Sequence, residues 1–429
     1  MANTAARRQS VPKKAPQAKK RARRWDFFAI GQLDIPFLLL VITILTFGLV
    51  MLFSASYTYA YYNEDGDSAY FFKRQLVFAL VGLAAMFIVS KVRYDYFKLF
   101  AIPVLLVSWL LLILVLFLPA TKEGFHRWIN LGLFTFQPSE IAKFAIILFC
   151  AWSMDKNHKR IVGKQPNNAK LSRMVRGLSH GRIVVYDSFV MLCFYAFVIL
   201  FTAVLVYLEN HLSGTLLLLA IGVVMLFLGE VKRRWFVLIG ILAVVAVVFF
   251  VLNPELLEKY AGERITAWLD KDYDPRGARW QTNNSLYAIG SGGLFGVGLG
   301  NSKQKHLYVS EPQNDFIFAI VCEELGFIRA ALLLLLFLLL VFRGVVIGLR
   351  AKDRFGALLS MGVVFQVGLQ TALNIGVVTD ALPNTGISLP FFSYGGTSLM
   401  MLLFEMGLVL SVSRYARLEK ADTSGVFKK

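Results

Sequence analysis

Runs of about 20 apolar residues, the length that crosses a bilayer core, recur along the whole chain, and no fold surrounded by water can hide so many. They fall at about 35–54, 75–90, 97–118, 138–153, 189–208, 212–229, 234–252, 316–342, 355–377 and 396–413, ten in all. Hydrophobic residues make up 57% of the 429, too large a share for the core of a soluble domain. The expectation is an all-α polytopic membrane protein with about ten transmembrane helices and a large extracytoplasmic loop between helices 7 and 8.

The formal charge of +18 would point to nucleic acid on a single soluble face, but here Lys and Arg are spread among short connections. Charge in that arrangement records topology, because cytoplasmic loops retain it. The connections assigned inside carry Lys91, Arg93 and Lys98; Lys156 through Arg182; Lys232, Arg233 and Arg234; Arg343 through Arg354; and Arg414 and Arg417. Those assigned outside are the acidic Asn63–Asp67, the mixed 121–137, the turn at Glu209–His211, residues 253–314, and the last connection, with Asp380. Both termini are therefore placed in the cytoplasm, and the 253–314 loop is long enough to expect function in it.

Residues 1–32 hold nine Lys or Arg between Arg7 and Arg24 among Ala, Pro and Gln, a composition that builds no core. They read as a disordered basic cytoplasmic tail that keeps the N-terminus inside; binding to anionic lipid or to a partner is the alternative. The membrane domain is expected over 33–417 and a second cytoplasmic tail over 418–429. A cleaved signal peptide is not expected, since the first apolar run exceeds an h-region and nine more follow. Cys150, Cys193 and Cys322 sit in apolar runs at unrelated spacings and read as packing residues.

Polar residues gather at the outer ends of three expected helices. VSEPQNDFIFAIVCEELG (309–326) runs from an acid-bearing loop into an apolar helix, with Glu311 and Asp315 at the seam and Glu323 and Glu324 inside. An ionisable group at membrane depth costs roughly 2.5 to 3.5 kcal/mol on insertion scales, so such residues are kept for a partner, a wet cavity or chemistry. Asp315 also reads as a helix N-cap, which Asp favours, and Arg329 reads as a neutralising partner for one of the two Glu residues. Arg127, Trp128, Gln137, Ser139, Glu140 and Lys143 form the second group; Glu140 and Lys143, three apart on one helical face, also read as a plain ion pair. SLPFFSYGGTS (388–398) is the third, with hydroxyls on Ser393, Thr397 and Ser398 and backbone freedom at Gly395 and Gly396. GSGGLFGVGLG (290–300) matches neither nucleotide-binding fingerprint and reads as a close-packing turn or re-entrant segment, with an anion-cradling backbone as the lesser reading. His126, His211 and His306 have no metal-ligand spacing, and no metal site is expected.

Four stretches, RWINLGLFTFQPSEIAK (127–143), AIGSGGLFGVGLGNSKQK (288–305), SEPQNDFIFAIVCEELG (310–326) and GISLPFFSYGGTSLM (386–400), resemble the SEDS family (shape, elongation, division and sporulation) in order, from Asp34 to Arg417. MLFSASYTYAYY and FFKRQ look closer to its division and sporulation branch, FtsW and SpoVE, than to the elongation member RodA. The resemblance implies a peptidoglycan glycosyltransferase of the bacterial cytoplasmic membrane that polymerises lipid II on the outer side, with a class B penicillin-binding protein and other division proteins as partners. It places the family's catalytic carboxylate on Asp315 and the QPSE-segment pair on Glu140 and Lys143. Two departures stand out: Asn210–Thr215 replaces a Pro-Asp-x-Gly-Thr turn, and Asn314 stands where Thr is usual.

Such chemistry asks for a base on the acceptor hydroxyl and a cation facing the diphosphate. Asp315 is the candidate base; Arg127, Lys143 or a divalent ion such as Mg2+ or Mn2+ would supply the positive charge. Two other readings stand beside this one: a lipid II flippase using Glu323, Glu324, Arg329 and Glu405 as a polar path, and a non-catalytic division scaffold.

Overall fold

A computed structural model describes residues 31–119, 127–130, 132, 135–162, 180–252, 263–277 and 279–426. The basic tail to residue 30, the basic connection 163–179, the start of the large loop at 253–262 and residues 427–429 lie outside the described residues. All ten apolar runs fold as helices: α1 (Ile35–Asn63), α2 (Tyr70–Lys91), α3 (Ala101–Phe117, entered through a 3-10 turn at Tyr94–Phe100), α4 (Pro138–Val162), α5 (His180–Leu208), α6 (Leu212–Leu228), α7 (Arg233–Leu252), α10 (Ile317–Leu349), α11 (Arg354–Val378) and α12 (Gly396–Val426). Two shorter helices, α8 (Glu263–Leu269) and α9 (Trp280–Gly292), lie within the large loop. The chain is an all-α polytopic membrane protein; among the described residues seven helices are long and apolar enough to cross a bilayer. A hairpin of two-residue strands, β1 (Ile129–Asn130) and β2 (Thr135–Phe136), is the only strand pairing among the described residues.

Helices prevail because hydrocarbon offers backbone amides no partner, so each segment must bond within itself. Outward faces carry side chains that water would reject, such as Phe117 at 83% exposed and Leu110 at 65%. Inward faces interdigitate around Phe37, Met51, Ile146, Leu218, Phe355 and Met406 in one continuous core.

The basic connections meet at one end of the bundle. There Asp34 caps α1 through Phe37 N at 3.1 Å and takes Nε and Nη2 of Arg343 at 2.9 and 2.8 Å, which ties the start of α1 to the far part of α10. Lys98 bridges Asp95 and Asp353 at 3.1 and 2.7 Å; burial raises the Asp353 carboxyl, but its bonds from Lys98, Gly356 N and Tyr94 outweigh that and hold it below its usual range. Arg354 reaches Glu230 at 2.9 Å. The expected C-terminal tail is partly helical, since α12 continues to Val426.

The other end is built from the starts of α2, α4, α6, α10 and α12 and from the large loop. That loop is not structureless. Arg279, at the start of α9, forms a buried ion pair with Asp380 at 2.7 Å, and Ser285 donates to Val378 O at 2.8 Å, so α9 is strapped to the end of α11.

One helix is broken. At Gly326 the backbone of α10 turns to φ 78°, ψ 172°, a conformation that L side chains avoid. The break would orphan carbonyls above and amides below it, and the glycine run 290–300 takes them up. Val297 N and Gly298 N donate to Glu323 O and Glu324 O at 3.0 Å each, while Phe327 N and Ile328 N donate to Gly293 O and Leu294 O at 2.9 and 3.2 Å. The close-packing reading of GSGGLFGVGLG therefore holds, and the anion-cradle reading fails at Val297 and Gly298, whose amides are spent on the helix.

Candidate active site

A cavity of about 1240 Å3 opens at this second end, and Asp315, Glu311, Arg127, Gln137, Ser139, Glu140, Lys143, Gly395, Gly396 and Ser398 all line it. Four distant stretches meet there because each begins a helix, or the approach to one, at the same end of the bundle.

Asp315 does not cap its helix. Phe316 occupies the N-cap position of α10 without a side-chain cap bond. The segment before it is held by its carbonyls: Gln313 O accepts from Tyr394 N at 2.8 Å, Asn314 O from Ser393 Oγ at 2.8 Å, and Asp315 O from Asn374 Nδ2 at 2.7 Å. Asn374 also donates to Ile387 O at 2.6 Å, which brings the 386–393 turn against the same backbone. At Gly386, with φ 72°, a Cβ would stand 3.0 Å from Asp315 Oδ2. The carboxylate is thus half-buried and fixed from behind, and among the described residues no donor is bonded to it. Burial first, and the negative charge of Glu311 second, raise its pKa to about 6, with Arg264 and Arg127 pulling the other way. Glu311 accepts from Asn314 Nδ2 at 2.7 Å, so Asn at this departure from the family pattern keeps a local tie.

On α4, which starts at Pro138 as the PSE signature implies, Lys143 Nζ lies 2.9 Å from Glu140 Oε2 with both side chains buried. Lys143 also donates to Gln370 Oε1 at 3.3 Å, and Glu140 accepts from Ser398 Oγ at 3.0 Å. The ion-pair reading is correct as geometry, and the pair faces the cavity as well. A buried pair of this kind is held by the extra bonds that satisfy its remaining atoms. Arg127 approaches from the hairpin side and donates to Asn210 O. Beside it, His211 Nδ1 sits 3.4 Å from both Gln137 Nε2 and Ser139 Oγ. Burial, and then the charges of Arg127 and Lys143, push this imidazole down to about 3, so it is neutral.

Some expected groups are placed otherwise. Ser393 and Thr397 do not line the cavity; Ser393 accepts from Leu389 N at 2.7 Å besides holding Asn314, and Thr397 is buried. The amide of Gly395 is taken by Gln75 Oε1 at 3.2 Å, and a Cβ on Gly396 would collide with the Phe78 ring at 2.2 Å, so these glycines serve packing rather than open amides. Arg329 neutralises neither Glu323 nor Glu324. It donates to Phe295 O at 3.0 Å, and Glu324 pairs with Lys305 instead. Glu405 accepts from Gln366 Nε2 at 3.0 Å and lines a small pocket together with Glu140. The four groups of the transport reading therefore belong to three separate local networks.

Sequence reasoning gave no site role to Arg74, His211, Gln370 or Asn374. The last two had a signal: Gln366, Gln370 and Asn374 repeat at intervals of four, a polar stripe on one face of an otherwise apolar helix. Cys150 and Cys322 are buried, as packing residues should be, whereas Cys193 is exposed on α5. Among the described residues no three His, Cys, Asp or Glu side chains come together as a metal cage. A magnesium-type ion ordinarily uses one or two carboxylates together with substrate phosphates; Glu311, which lines the cavity, would hold such an ion, and the ion would supply positive charge there.

Residues 35–418 match the FtsW/RodA/SpoVE family, described as cell cycle proteins. Stage V sporulation protein E of Bacillus subtilis is 38% identical over 387 residues, covering 90% of this chain and 98% of that protein. The probable peptidoglycan glycosyltransferase FtsW of Trichlorobacter lovleyi is 36% identical, with 93% and 97% covered. A solved chain from a peptidoglycan synthase complex that coordinates polymerisation and crosslinking superposes with a TM-score of 0.68 at 26% identity, over 90% of this chain and 98% of that one. RodA of Thermus thermophilus gives 0.60, also at 26%, with 89% and 98% covered.

Proposed function

The chain belongs to the FtsW/RodA/SpoVE family of cell cycle proteins, which it matches over residues 35–418, and on that premise we propose a peptidoglycan glycosyltransferase with Asp315 as its general base. The substrate is lipid II. An acceptor sugar hydroxyl attacks the anomeric carbon of the donor glycan; the new C–O bond forms as the bond to diphosphate breaks, and the hydroxyl proton passes to Asp315. Diphosphate is a good leaving group, so no second carboxylic acid is required, unlike in glycoside hydrolysis.

One observation carries the assignment: Asp315 is the cavity carboxylate whose segment is pinned on three backbone carbonyls while its carboxylate oxygens, among the described residues, stay unbonded. A base is most effective with a pKa near the working pH, and a value of about 6 is close to that. Glu140 is committed to Lys143 and Ser398, and Glu311 to Asn314. Arg127 and Lys143 face the cavity and supply the fixed positive charge that a departing diphosphate needs. Gln137 and Ser139, together with His211, complete that wall and orient the donor, while Ser398 and the glycine turn shape the floor.

In this reading the protein is multi-pass in the cytoplasmic membrane, with both termini inside and the cavity outside; the basic residues around Lys98, Arg343 and Arg354 lie at the opposite end, which fits that sense. A transpeptidase of the class B penicillin-binding type is the partner, which agrees with the solved neighbour being part of a synthase complex. The test is polymerisation of lipid II by the purified Asp315→Asn protein. The reading expects no glycan product from a folded variant, and polymer at the parental rate would overturn it.

A further inference from the structure

The reaction uses neither Glu323 nor Glu324, yet both lie buried in an apolar helix immediately below the candidate base, and both are fully engaged. Glu324, its side chain fully buried, takes Lys305 Nζ, itself 5% exposed, at 2.9 Å, and Ser54 Oγ of α1 at 2.7 and 2.8 Å. Lys305 Nζ donates further to Gly300 O at 2.7 Å and Ser54 Oγ at 3.3 Å. Glu323 accepts from Ser302 Oγ at 2.5 Å and from Lys303 N and Gln304 N at 2.9 and 3.4 Å. The two carboxylates thus grip the chain that leaves the glycine run, one through backbone amides and the other through an ammonium.

The break at Gly326 gives this arrangement its meaning. It separates a short upper piece of α10, residues 317–325, from the long lower helix, and Asp315 sits just before the upper piece. A helix interrupted inside a membrane protein loses the continuity that would otherwise fix its direction. Here that continuity is replaced by the four loop bonds across the break and by the Lys305–Glu324 pair, which anchors the same loop to α1. A Cβ on Gly296 would fall 2.3 Å from Glu324 O, and one on Gly292 2.1 Å from Cys322 O, so loop and half-helix interlock with no spare room.

We propose that Lys305 and Glu324 are positioning residues, a buried electrostatic latch that sets the direction of the 317–325 half-helix and thereby the placement of the Asp315 carboxylate in the cavity. This rests on Asp315 being the base. Neither latch residue lines the cavity, so substrate does not touch them. Their effect falls on turnover and on the surroundings of Asp315, because a loosened half-helix admits water around a carboxylate whose pKa of about 6 depends first on burial, then on Glu311, against Arg264 and Arg127.

Removing one partner of a buried pair strands a charge and threatens the fold, whereas removing both largely restores stability. The informative variant is therefore the double Lys305→Met/Glu324→Gln, compared with the parent in detergent and lipid. The latch expects a melting temperature near the parental one, a KM for lipid II within about threefold, and a kcat lower by about tenfold or more, since misplacement by an ångström is enough for such a loss. It also expects the acid limb of the pH profile to move below about 6. A double variant that melts, turns over and titrates like the parent overturns the latch. Should the double variant not fold, Glu324→Asp, which keeps the charge balance of the buried pair but shortens its reach to Lys305 and Ser54 by one methylene, decides by the same two readouts: a lowered kcat with a shifted limb supports the latch, and parental values overturn it. Asp315→Asn runs alongside: activity there refutes the base, while a dead Asp315→Asn beside a parental double variant refutes only the latch.

Discussion

The pH profile of polymerisation tests the environment of Asp315 and not merely its presence. A base works in its ionised form, so activity is lost as pH falls through its pKa. With a value of about 6, the ionised fraction drops from roughly nine-tenths at pH 7 to roughly one-tenth at pH 5, a loss of about tenfold in kcat/KM. An Asp at its ordinary pKa of about 3.9 would lose less than about a tenth of its activity over that interval. Two variants separate the causes. Glu311→Gln removes the like charge, the second cause, so the limb moves to lower pH but stops short of the ordinary value, because burial remains. Arg127→Gln removes a charge that favours the carboxylate, so the limb moves to higher pH. The assay is the initial rate of glycan formation from labelled lipid II by purified protein, extrapolated to low substrate. A flat profile between about pH 7 and 5, or limbs that shift in the reverse sense in the two variants, would refute the reasoning.

Other consequences follow from single contacts. Lys143→Met leaves Glu140 buried with only Ser398 for a partner, which costs about 3 to 5 kcal/mol and shows as a lower denaturation midpoint together with lost polymerisation. Arg279→Ala strands Asp380 in the strap that holds α9, and a loss of similar size is expected in thermal unfolding. Gly326→Ala forces a side chain into positive φ and brings its Cβ to 2.2 Å from Gly296 N; the backbone strain alone costs about 1 to 2 kcal/mol, and proteolysis should open the loop near residues 293–300 first. His211→Ala removes a neutral ring, so polymerisation should fall without a shift of the acid limb, as the same profile would reveal.

The helices were legible because each apolar run is long and each end is marked by charge, Pro or Gly. The cavity was partly legible for a related reason: Glu140, Asp315 and Ser398 each stand near the first turn of a helix that begins at one end, so topology alone brings them together. What sequence could not give was the partner of a charge from a distant loop. Arg329 is five and six residues from Glu324 and Glu323 along the chain, yet the helix break and the glycine loop place Lys305 there instead. The break itself was hidden because Gly inside an apolar run is unremarkable until the backbone bonds around it are known. Ser393 was misjudged because a hydroxyl in a tight turn is as readily consumed by neighbouring backbone as offered to a ligand, and here Leu389 N and Asn314 O consume it. Gln370 and Asn374 were readable from their spacing, but a stripe of amides carries no charge to draw the eye.

Catalysis is separated most directly from transport and scaffolding by proteoliposomes that hold the parent or Asp315→Asn, supplied with lipid II, in which glycan polymer and movement of lipid II between leaflets are measured in the same vesicles. The account predicts polymer from the parent alone, with equal lipid II binding by both proteins. Polymer from both, or lipid movement that depends on Asp315 without any polymer, would contradict it.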